Sequence, residues 1–107
     1  MVFLNDELAA QPLNEGQTRK ILAYDSNLML AELLFAKGTI GPLHQHPHEQ
    51  IGYIISGKIL YREEGKQPQI LTAGDSYYVP PNVVHGIDVL EDAKLLDFFT
   101  PMREDFI

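Results

Sequence analysis

The stretch that decides the fold is residues 38–57, GTIGPLHQHPHEQIGYIISG. It carries three of the chain's four histidines, His44, His46 and His48. Side chains at positions i and i+2 of a β-strand project from the same face, so His44 and His46 can point together into a barrel. His85 lies at the end of another predicted strand, directly after the Pro-Pro-Asn of residues 80–82. Three imidazoles that meet inside a barrel would bind a divalent transition metal. The alternative is that they are histidines of surface loops.

The periodicity of the rest of the chain predicts strands rather than helices. Apolar residues alternate over residues 58–62, 83–90 and 95–99. Residues 28–37 are almost continuously apolar, which fits a buried strand or a short helix. Turn residues predict hairpins at 56–57 and 63–66 and breaks at 73–75 and 80–82. Short strands at this spacing are typical of a β-sandwich or a small barrel. A short helical turn over residues 4–11, with Asn5 as its cap, is also predicted.

The composition predicts one globular domain over residues 1–107 and excludes several function classes. The chain contains no cysteine, which rules out disulfides, thiolate zinc sites and thiol nucleophiles. Its net charge of −7 opposes binding to nucleic acid. The first seven residues lack a basic region, and no apolar stretch is long enough to span a membrane. We therefore expect a cytoplasmic protein with neither nucleic acid nor membrane as partner.

Fixed spacings link the histidines to turn residues on both sides. The first run matches G-x5-H-x-H-x3-E-x6-G at Gly38, His44, His46, Gln50 and Gly57. The second run matches G-x5-P-x-G-x2-H at Gly74, Pro80, Asn82 and His85. These are the two signature motifs of cupins, and the chain resembles that superfamily. The resemblance implies an all-β fold, a single cupin jelly-roll (double-stranded β-helix) barrel. It also implies a divalent metal held inside the barrel by His44, His46, Gln50 and His85.

The chain departs from these motifs at three positions. Gln50 replaces the usual glutamate ligand, Asn82 replaces a glycine, and Val89 replaces a distal asparagine. A glutamine can coordinate through its carbonyl oxygen but brings no charge. With three neutral imidazoles it would leave the ion's charge uncompensated, which favours an anionic ligand and Lewis-acid chemistry. Glu49 is the alternative ligand if the register slips by one residue, although such a slip reverses the side-chain face.

Three segments resemble a narrower group, the KdgF-type cupins of pectin and alginate breakdown. They are residues 44–53 (HQHPHEQIGY), 80–86 (PPNVVHG) and 96–106 (LDFFTPMREDF). The resemblance implies metal-dependent conversion of 4,5-unsaturated monouronates to linear 4-deoxy-5-keto-uronates, by ring opening and tautomerisation. It implies Gln50 as a ligand, and catalytic roles for Asp97, Phe99 and Arg103. It further implies a small anionic sugar acid as the partner molecule and a homodimer. The metal would be Ni, Zn, Fe, Mn or Co.

Taken alone, these residues leave alternatives open. Asp97 shares its strand face with Phe99, and a carboxylate inside the barrel would be costly unless it were functional. If the opposite face is buried, Asp97 is a solvated residue. As a site residue it would act as a general base or proton relay. Phe99 would then be an apolar wall rather than plain core. Arg103 would clasp the substrate carboxylate rather than form a surface ion pair.

Three other side chains are weaker candidates for the site. We expect His48 at the rim, because Pro47 and a turn separate it from the other histidines. Tyr53 or Tyr61 would donate to sugar hydroxyls, unless each is a core tyrosine.

Two rival functions remain compatible with the sequence. One is a cupin dioxygenase acting on a small enolic substrate, which oxygen consumption would reveal. The other is a non-catalytic cupin that binds a sugar or metabolite as a sensor, which would release its ligand unchanged. Because one fold hosts many functions, the barrel alone does not choose among them.

Overall fold

The computed structural model describes residues 1–14 and 16–107 of the chain. Its strands are β1 (Gln11–Pro12), β2 (Gln17–Tyr24), β3 (Met29–Phe35), β4 (Ile40–His44), β5 (Glu49–Glu63), β6 (Gln69–Thr72), β7 (Ser76–Val79) and β8 (His85–Thr100). Single 3-10 turns occupy Asn5–Glu7 and Glu104–Phe106. Among the described residues, no helical segment has the length and apolar character needed to cross a membrane.

Two long strands organise the barrel. β5 and β8 pair with each other along most of their lengths, and all pairings in the sheet are antiparallel. The first part of β5 pairs with β7 and its last part with β6. Likewise, β8 pairs first with β4 and then with β3. Each long strand therefore passes from one group of neighbours to another, which is how a jelly roll closes. The prediction of an all-β jelly roll is confirmed.

The predicted hairpin at Ser56-Gly57 is wrong. Both residues lie inside β5, where the register to β8 shifts between Ile54 and Lys58. Gly57 has a φ of +90°, and a Cβ there would stand 2.2 Å from the carbonyl oxygen of Asp92. This glycine thus bends the long strand and lets β8 approach closely, rather than turning the chain back. The strands predicted at 83–90 and 95–99 belong to one long strand, β8, which begins at His85, so Val83 and Val84 precede it.

The strand within 28–37 and the turns at 63–66 and 80–82 form as the sequence predicts. Residues 28–37 contain the strand β3 and no helix. The hairpin at 63–66 is present, closed by the Lys66 N–H donating to the Glu63 carbonyl over 3.0 Å. Asn82 adopts a φ of +62°, the left-handed conformation that asparagine tolerates better than most non-glycine residues. The cap predicted at Asn5 is wrong, because its Oδ1 instead accepts a hydrogen bond from Lys20 Nζ at 2.9 Å.

The core formed by the described residues contains two hydrophobic clusters. The larger cluster is Leu33, Phe35, Ile54, Ile59, Ile87, Val89, Ala93 and Leu95. The smaller one joins Met29, Ala31 and Phe99 to partly buried residues that include Phe106. Four buried polar side chains are found among the described residues, namely His46, Gln50, His85 and Asp97. Burial of a polar group is unfavourable unless it is hydrogen-bonded, so this grouping marks a site inside the barrel.

Candidate functional site

Three imidazoles converge at the meeting point of β4 and β8. β4 ends at His44, whose Cα partner across the sheet is His85 at the start of β8. His46 follows two residues after the end of β4. The potential ligand atoms of the three rings all lie within 4.8 Å of one another. The remaining histidine, His48, is partly buried beside His46, with 5.7 Å between ring centroids, and is not part of this cluster.

The main chain fixes the orientation of each clustered ring. In every case Nδ1 lies within hydrogen-bond distance of a backbone carbonyl two residues away. The distances are 2.9 Å from His44 to Pro42, 3.0 Å from His46 to His48, and 2.9 Å from His85 to Val83. A carbonyl only accepts, so Nδ1 donates its proton and Nε2 keeps a lone pair. Burial also lowers the pKa of His85 to about 4 and lowers that of His46, which favours neutral rings.

The free lone pairs fit a metal ion. Gln50 Oε1 lies 2.9 Å from His46 Nε2, although both atoms are acceptors once Nδ1 carries the proton. Side by side at this distance, the two atoms can both be ligands of one cation. The buried Nε2 of His85 has no hydrogen-bond partner among the described residues. Three imidazole nitrogens and one amide oxygen form a donor set that suits a divalent transition metal.

The structure also distinguishes Gln50 from its neighbour. Gln50 is buried, whereas Glu49 is exposed and accepts a hydrogen bond from the Tyr78 hydroxyl at 2.8 Å. The two side chains therefore point to opposite faces of β5, as strand alternation requires. It is Gln50, not Glu49, that the register of β5 brings to the imidazoles.

A carboxylate is buried beside this cluster. Asp97 is 6% exposed and shares the inner face of β8 with Phe99, while Phe98 is 43% exposed on the outer face. Burial raises the pKa of the Asp97 carboxyl to about 6, and hydrogen bonding from Gln50 and Tyr77 acts in the opposite direction. The contact with the Tyr77 hydroxyl is long, at 3.4 Å. Asp97 thus combines access to the cavity with an ability to hold or release a proton.

Tyr77 reaches Asp97 because Gly52 leaves room for it. Gly52, on β5, is the Cα partner of Tyr77 on one side and of Asp97 on the other. A Cβ on Gly52 would lie 2.2 Å from the Tyr77 ring. The ring therefore crosses the sheet over the one residue type that has no side chain.

Sequence reasoning missed Tyr77 and put forward Tyr53 and Tyr61 instead. Tyr53 is 40% exposed, and Tyr61 donates a hydrogen bond to Glu63 over 2.9 Å; neither lines the cavity. The alternation of side chains along a strand could have identified Tyr77, because Tyr77 shares the inward face of β7 with the buried Val79.

The cavity has a volume of about 250 Å³. The side chains that line it include His44, Gln50, His85, Asp97 and Phe99. This volume lies just below the roughly 300–1,000 Å³ range of most ligand pockets, so it suits a small molecule rather than a polymer chain.

Two arginines and an aromatic ring also line the cavity and are partly exposed; we call Arg19, Arg103 and Phe106 its mouth. Arg103 donates to the Asp105 carboxylate from Nε over 3.1 Å and from Nη2 over 2.8 Å. Its guanidinium carbon lies 4.2 Å from the centroid of the Phe106 ring and 5.1 Å from that of Phe99. The guanidinium carbon of Arg19 lies 3.5 Å from the Phe106 centroid. Sequence reasoning found Arg103 but missed Arg19 and Phe106, because only the fold brings β2 to the C-terminal segment.

Comparisons with known proteins agree with this geometry. The cupin-domain family matches residues 31–99. The pectin degradation protein KdgF of Dickeya dadantii is 39% identical over 107 residues, which are 98% of this chain and 96% of that protein. The solved structure of KdgF from Halomonas is 37% identical, covers all of both chains and has a TM-score of 0.94. An RmlC-like cupin from Shewanella frigidimarina is 34% identical over 99% of this chain and 95% of its own, also with a TM-score of 0.94.

Proposed function

Because this chain belongs to the cupin family, we propose that residues 1–107 act as one cytoplasmic cupin domain with an enzymatic, isomerase-type function. Its substrates are 4,5-unsaturated monouronates, small anionic sugar acids released from pectin or alginate. Its products are the linear 4-deoxy-5-keto-uronates, formed by ring opening and tautomerisation. The observation that carries this proposal is a buried carboxylate, Asp97, beside a metal-type donor set in a cavity sized for one small molecule. The similarity to KdgF supports it.

The ligands in this proposal are His44, His46, Gln50 and His85. They would hold one divalent transition metal from the group Ni, Zn, Fe, Mn and Co. When bound, such an ion supplies Lewis-acid polarisation of a substrate oxygen. Outside the ion, three backbone carbonyls keep the imidazole rings in place through their Nδ1 hydrogens.

Asp97 moves the proton in this proposal. The substrate is a cyclic hemiacetal with a C4=C5 enol ether. Asp97 removes the proton of the C1 hydroxyl, the C1–O5 bond breaks, and C1 becomes an aldehyde. The C1–O5 electron pair leaves an enolate at C5, and this becomes a ketone when C4 gains a proton, which Asp97 returns. Atoms and electrons balance without an oxidant, and the Tyr77 hydroxyl, 3.4 Å away, keeps the carboxylate oriented.

The aromatic residues form the wall on which the sugar ring lies. Phe99 is 3% exposed, and its ring packs edge-on against His46 with 5.9 Å between centroids. Arg103 lies against Phe99 and Phe106 and is held there by Asp105. Asp105 thus makes the bidentate contact that was expected for a substrate carboxylate. For Arg103 we propose a place in the aromatic wall, where its guanidinium would also clasp a substrate carboxylate once the exposed Asp105 carboxylate moves away.

A direct assay tests the reaction. The metal-loaded protein is mixed with unsaturated galacturonate freshly released by a lyase and a hydrolase, and loss of the C4=C5 ultraviolet absorbance is followed. NMR identifies the linear keto product, and the spontaneous rate is subtracted. Acceleration that disappears after EDTA treatment and returns with one of the five metals is the expected result. No acceleration with any of them would contradict the proposal; oxygen uptake would then indicate a dioxygenase, and unchanged bound sugar a sensor.

We also propose a homodimer formed through the outer face of the sheet. Four side chains lie in register across adjacent strands there, and three of them are exposed. They are Leu30 on β3, Phe98 on β8, Ile51 on β5 and Tyr78 on β7. A contiguous exposed apolar patch of this kind is a common protein contact surface. Light scattering should give twice the chain mass for the wild type and the chain mass for Phe98→Lys. A monomeric wild type would contradict the dimer alone.

A further inference from the structure

The two arginines at the mouth differ in how their charge is balanced. Arg103 is bound by both of its hydrogen bonds to the Asp105 carboxylate. Arg19 uses Nε to bond Gln11 Oε1, a neutral group, at 3.0 Å. Within the described part of the chain, Arg19 takes part in none of the ion pairs. Arg19 therefore carries the cationic charge at the mouth that has no direct carboxylate partner in these residues.

The position of Arg19 directs that charge into the cavity. Arg19 and Gln17 lie on the same face of β2, and their Cα partners on β3 are the buried core residues Leu33 and Phe35. Both polar side chains line the cavity that contains Asp97. The next residue, Lys20, points the other way and bonds Asn5 at the surface. The alternation of β2 thus places one basic residue inside and its neighbour outside.

The packing of Arg19 preserves its ability to bind an anion. Its guanidinium lies over the Phe106 ring, and its Nε is held by Gln11. Gln11 in turn donates from Nε2 to the Phe106 carbonyl over 3.2 Å. A guanidinium stacked on an aromatic ring keeps its in-plane N–H groups available at the edge. The Nη groups of Arg19 make no hydrogen bond to the described residues. Their N–H groups are therefore oriented donors that no described residue occupies.

We propose that Arg19 is the residue that selects for an acidic sugar, by binding its carboxylate through the two Nη groups. This inference rests on the proposed function, because it specifies how the same cavity tells a uronate from a neutral sugar. Bidentate binding of a carboxylate by a guanidinium gives both affinity and a fixed orientation. Anchored at the mouth in this way, the sugar ring lies between Arg19 and Asp97, with Gln17 beside the carboxylate.

The test compares an acid with its neutral analogue, so that it does not depend on turnover. Metal-loaded wild type, Arg19→Gln, Arg19→Lys and Lys20→Gln are titrated with D-galacturonate and with D-galactose, using calorimetry or ligand-observed NMR. Lys20→Gln is the matched control, because it makes the same charge change one residue away on the same strand. Thermal unfolding and metal content verify that each variant is folded and loaded.

We expect the wild type and Lys20→Gln to prefer galacturonate by about tenfold or more, the usual effect of a charge-assisted hydrogen bond. Arg19→Gln should lose most of that preference while its affinity for galactose stays the same. Arg19→Lys should keep a part of the preference, since lysine retains the charge but lacks the two parallel N–H donors of a guanidinium. An unchanged preference in Arg19→Gln, or no preference in the wild type, would overturn the inference.

The binding experiment and the turnover assay test different proposals, and each can contradict its own proposal alone. If ring opening is absent but Arg19→Gln still loses the preference for the acid, the proposed reaction is wrong and the assignment of Arg19 stands. If ring opening occurs and Arg19→Gln has the wild-type preference and KM, the reaction stands and the assignment of Arg19 is wrong.

Discussion

The two ends of the cavity are held together by different kinds of contact. At the imidazole end, the three clustered histidine rings are fixed by main-chain carbonyls, and His46, His85 and Gln50 are buried. At the mouth, Arg19, Arg103 and Phe106 are held by side chains that pack on one another. A hydrogen bond from Gln11 Nε2 to the Phe106 carbonyl also joins residues far apart in the chain there.

This difference separates chemistry from recognition. A metal site needs donors fixed within a few tenths of an ångström, which buried, backbone-anchored rings provide. A mouth that recognises a ligand tolerates small adjustments, which partly exposed side chains allow. We therefore expect substitutions at the imidazole end to abolish function, and substitutions at the mouth to shift affinity.

The largest effect is expected at the imidazole end. His46→Ala removes a ligand, so metal affinity should fall by more than the roughly 10–100-fold that follows loss of a supporting partner, and turnover should vanish with it. Elemental analysis after dialysis measures the bound metal. His48→Ala is the control: His48 lies outside the cluster, so this variant should keep the bound metal. Equal metal loss in both variants would mean that the cluster is not the metal site.

Replacing a catalytic carboxylate should lower turnover without releasing the metal. Asp97→Asn keeps the shape of the side chain, so we expect wild-type metal content with turnover lowered by about 10²–10⁴-fold, the usual contribution of a positioned acid or base. Steady-state rates and metal analysis on the same preparation measure the two effects. Wild-type turnover would remove Asp97 from the mechanism. Loss of the metal would instead make it a support for Gln50.

The contact between Gly52 and Tyr77 lies beside Asp97, next to the imidazole end. Gly52→Ala should destabilise the protein by about 1–3 kcal/mol, because an added methyl group collides with the Tyr77 ring. Chemical denaturation measures the change in the free energy of unfolding. The same substitution in a Tyr77→Ala background should have a much smaller effect, since the colliding ring is gone. Additive effects would show that the ring does not depend on the space at Gly52.

The smallest effect is expected at the mouth. Asp105→Asn removes the ion pair with Arg103, in which the Asp105 side chain is 60% exposed. Such pairs contribute about 0–1 kcal/mol, so thermal stability should change little. Arg103, released from Asp105, would be a second arginine at the mouth that can bind the substrate carboxylate. We therefore expect a lower KM for the acidic substrate and an unchanged kcat. A fall in kcat as large as that of Asp97→Asn would abolish the distinction between the two ends.

The sequence was most informative where spacing along the chain determines geometry. His44 and His46 are two residues apart, and the motif spacing linked them to His85, so the cluster and the jelly roll could be predicted. The orientation of Asp97 could not, because both faces of its strand carry apolar residues, Leu95 and Phe99 on one and Leu96 and Phe98 on the other. Burial in the folded barrel decides between them.

Contacts between segments far apart in the chain also could not be predicted from the sequence. Arg19 lies 87 positions before Phe106, and nothing in the alternation of β2 indicates an aromatic partner there. The sequence predicts a turn at Gly57 where the structure has a bend, because glycine serves both purposes and only the approach of β8 identifies which.

The Nδ1 hydrogen bonds have a consequence for how this site can evolve. Their acceptors are main-chain oxygens, which every amino acid carries, so no single substitution deletes the group that orients an imidazole. Gln50 is different, because its neighbours Asp97 and Tyr77 are side chains and can be replaced. Natural variation that retunes the metal should therefore accumulate around the amide ligand, while the histidine geometry is inherited with the backbone.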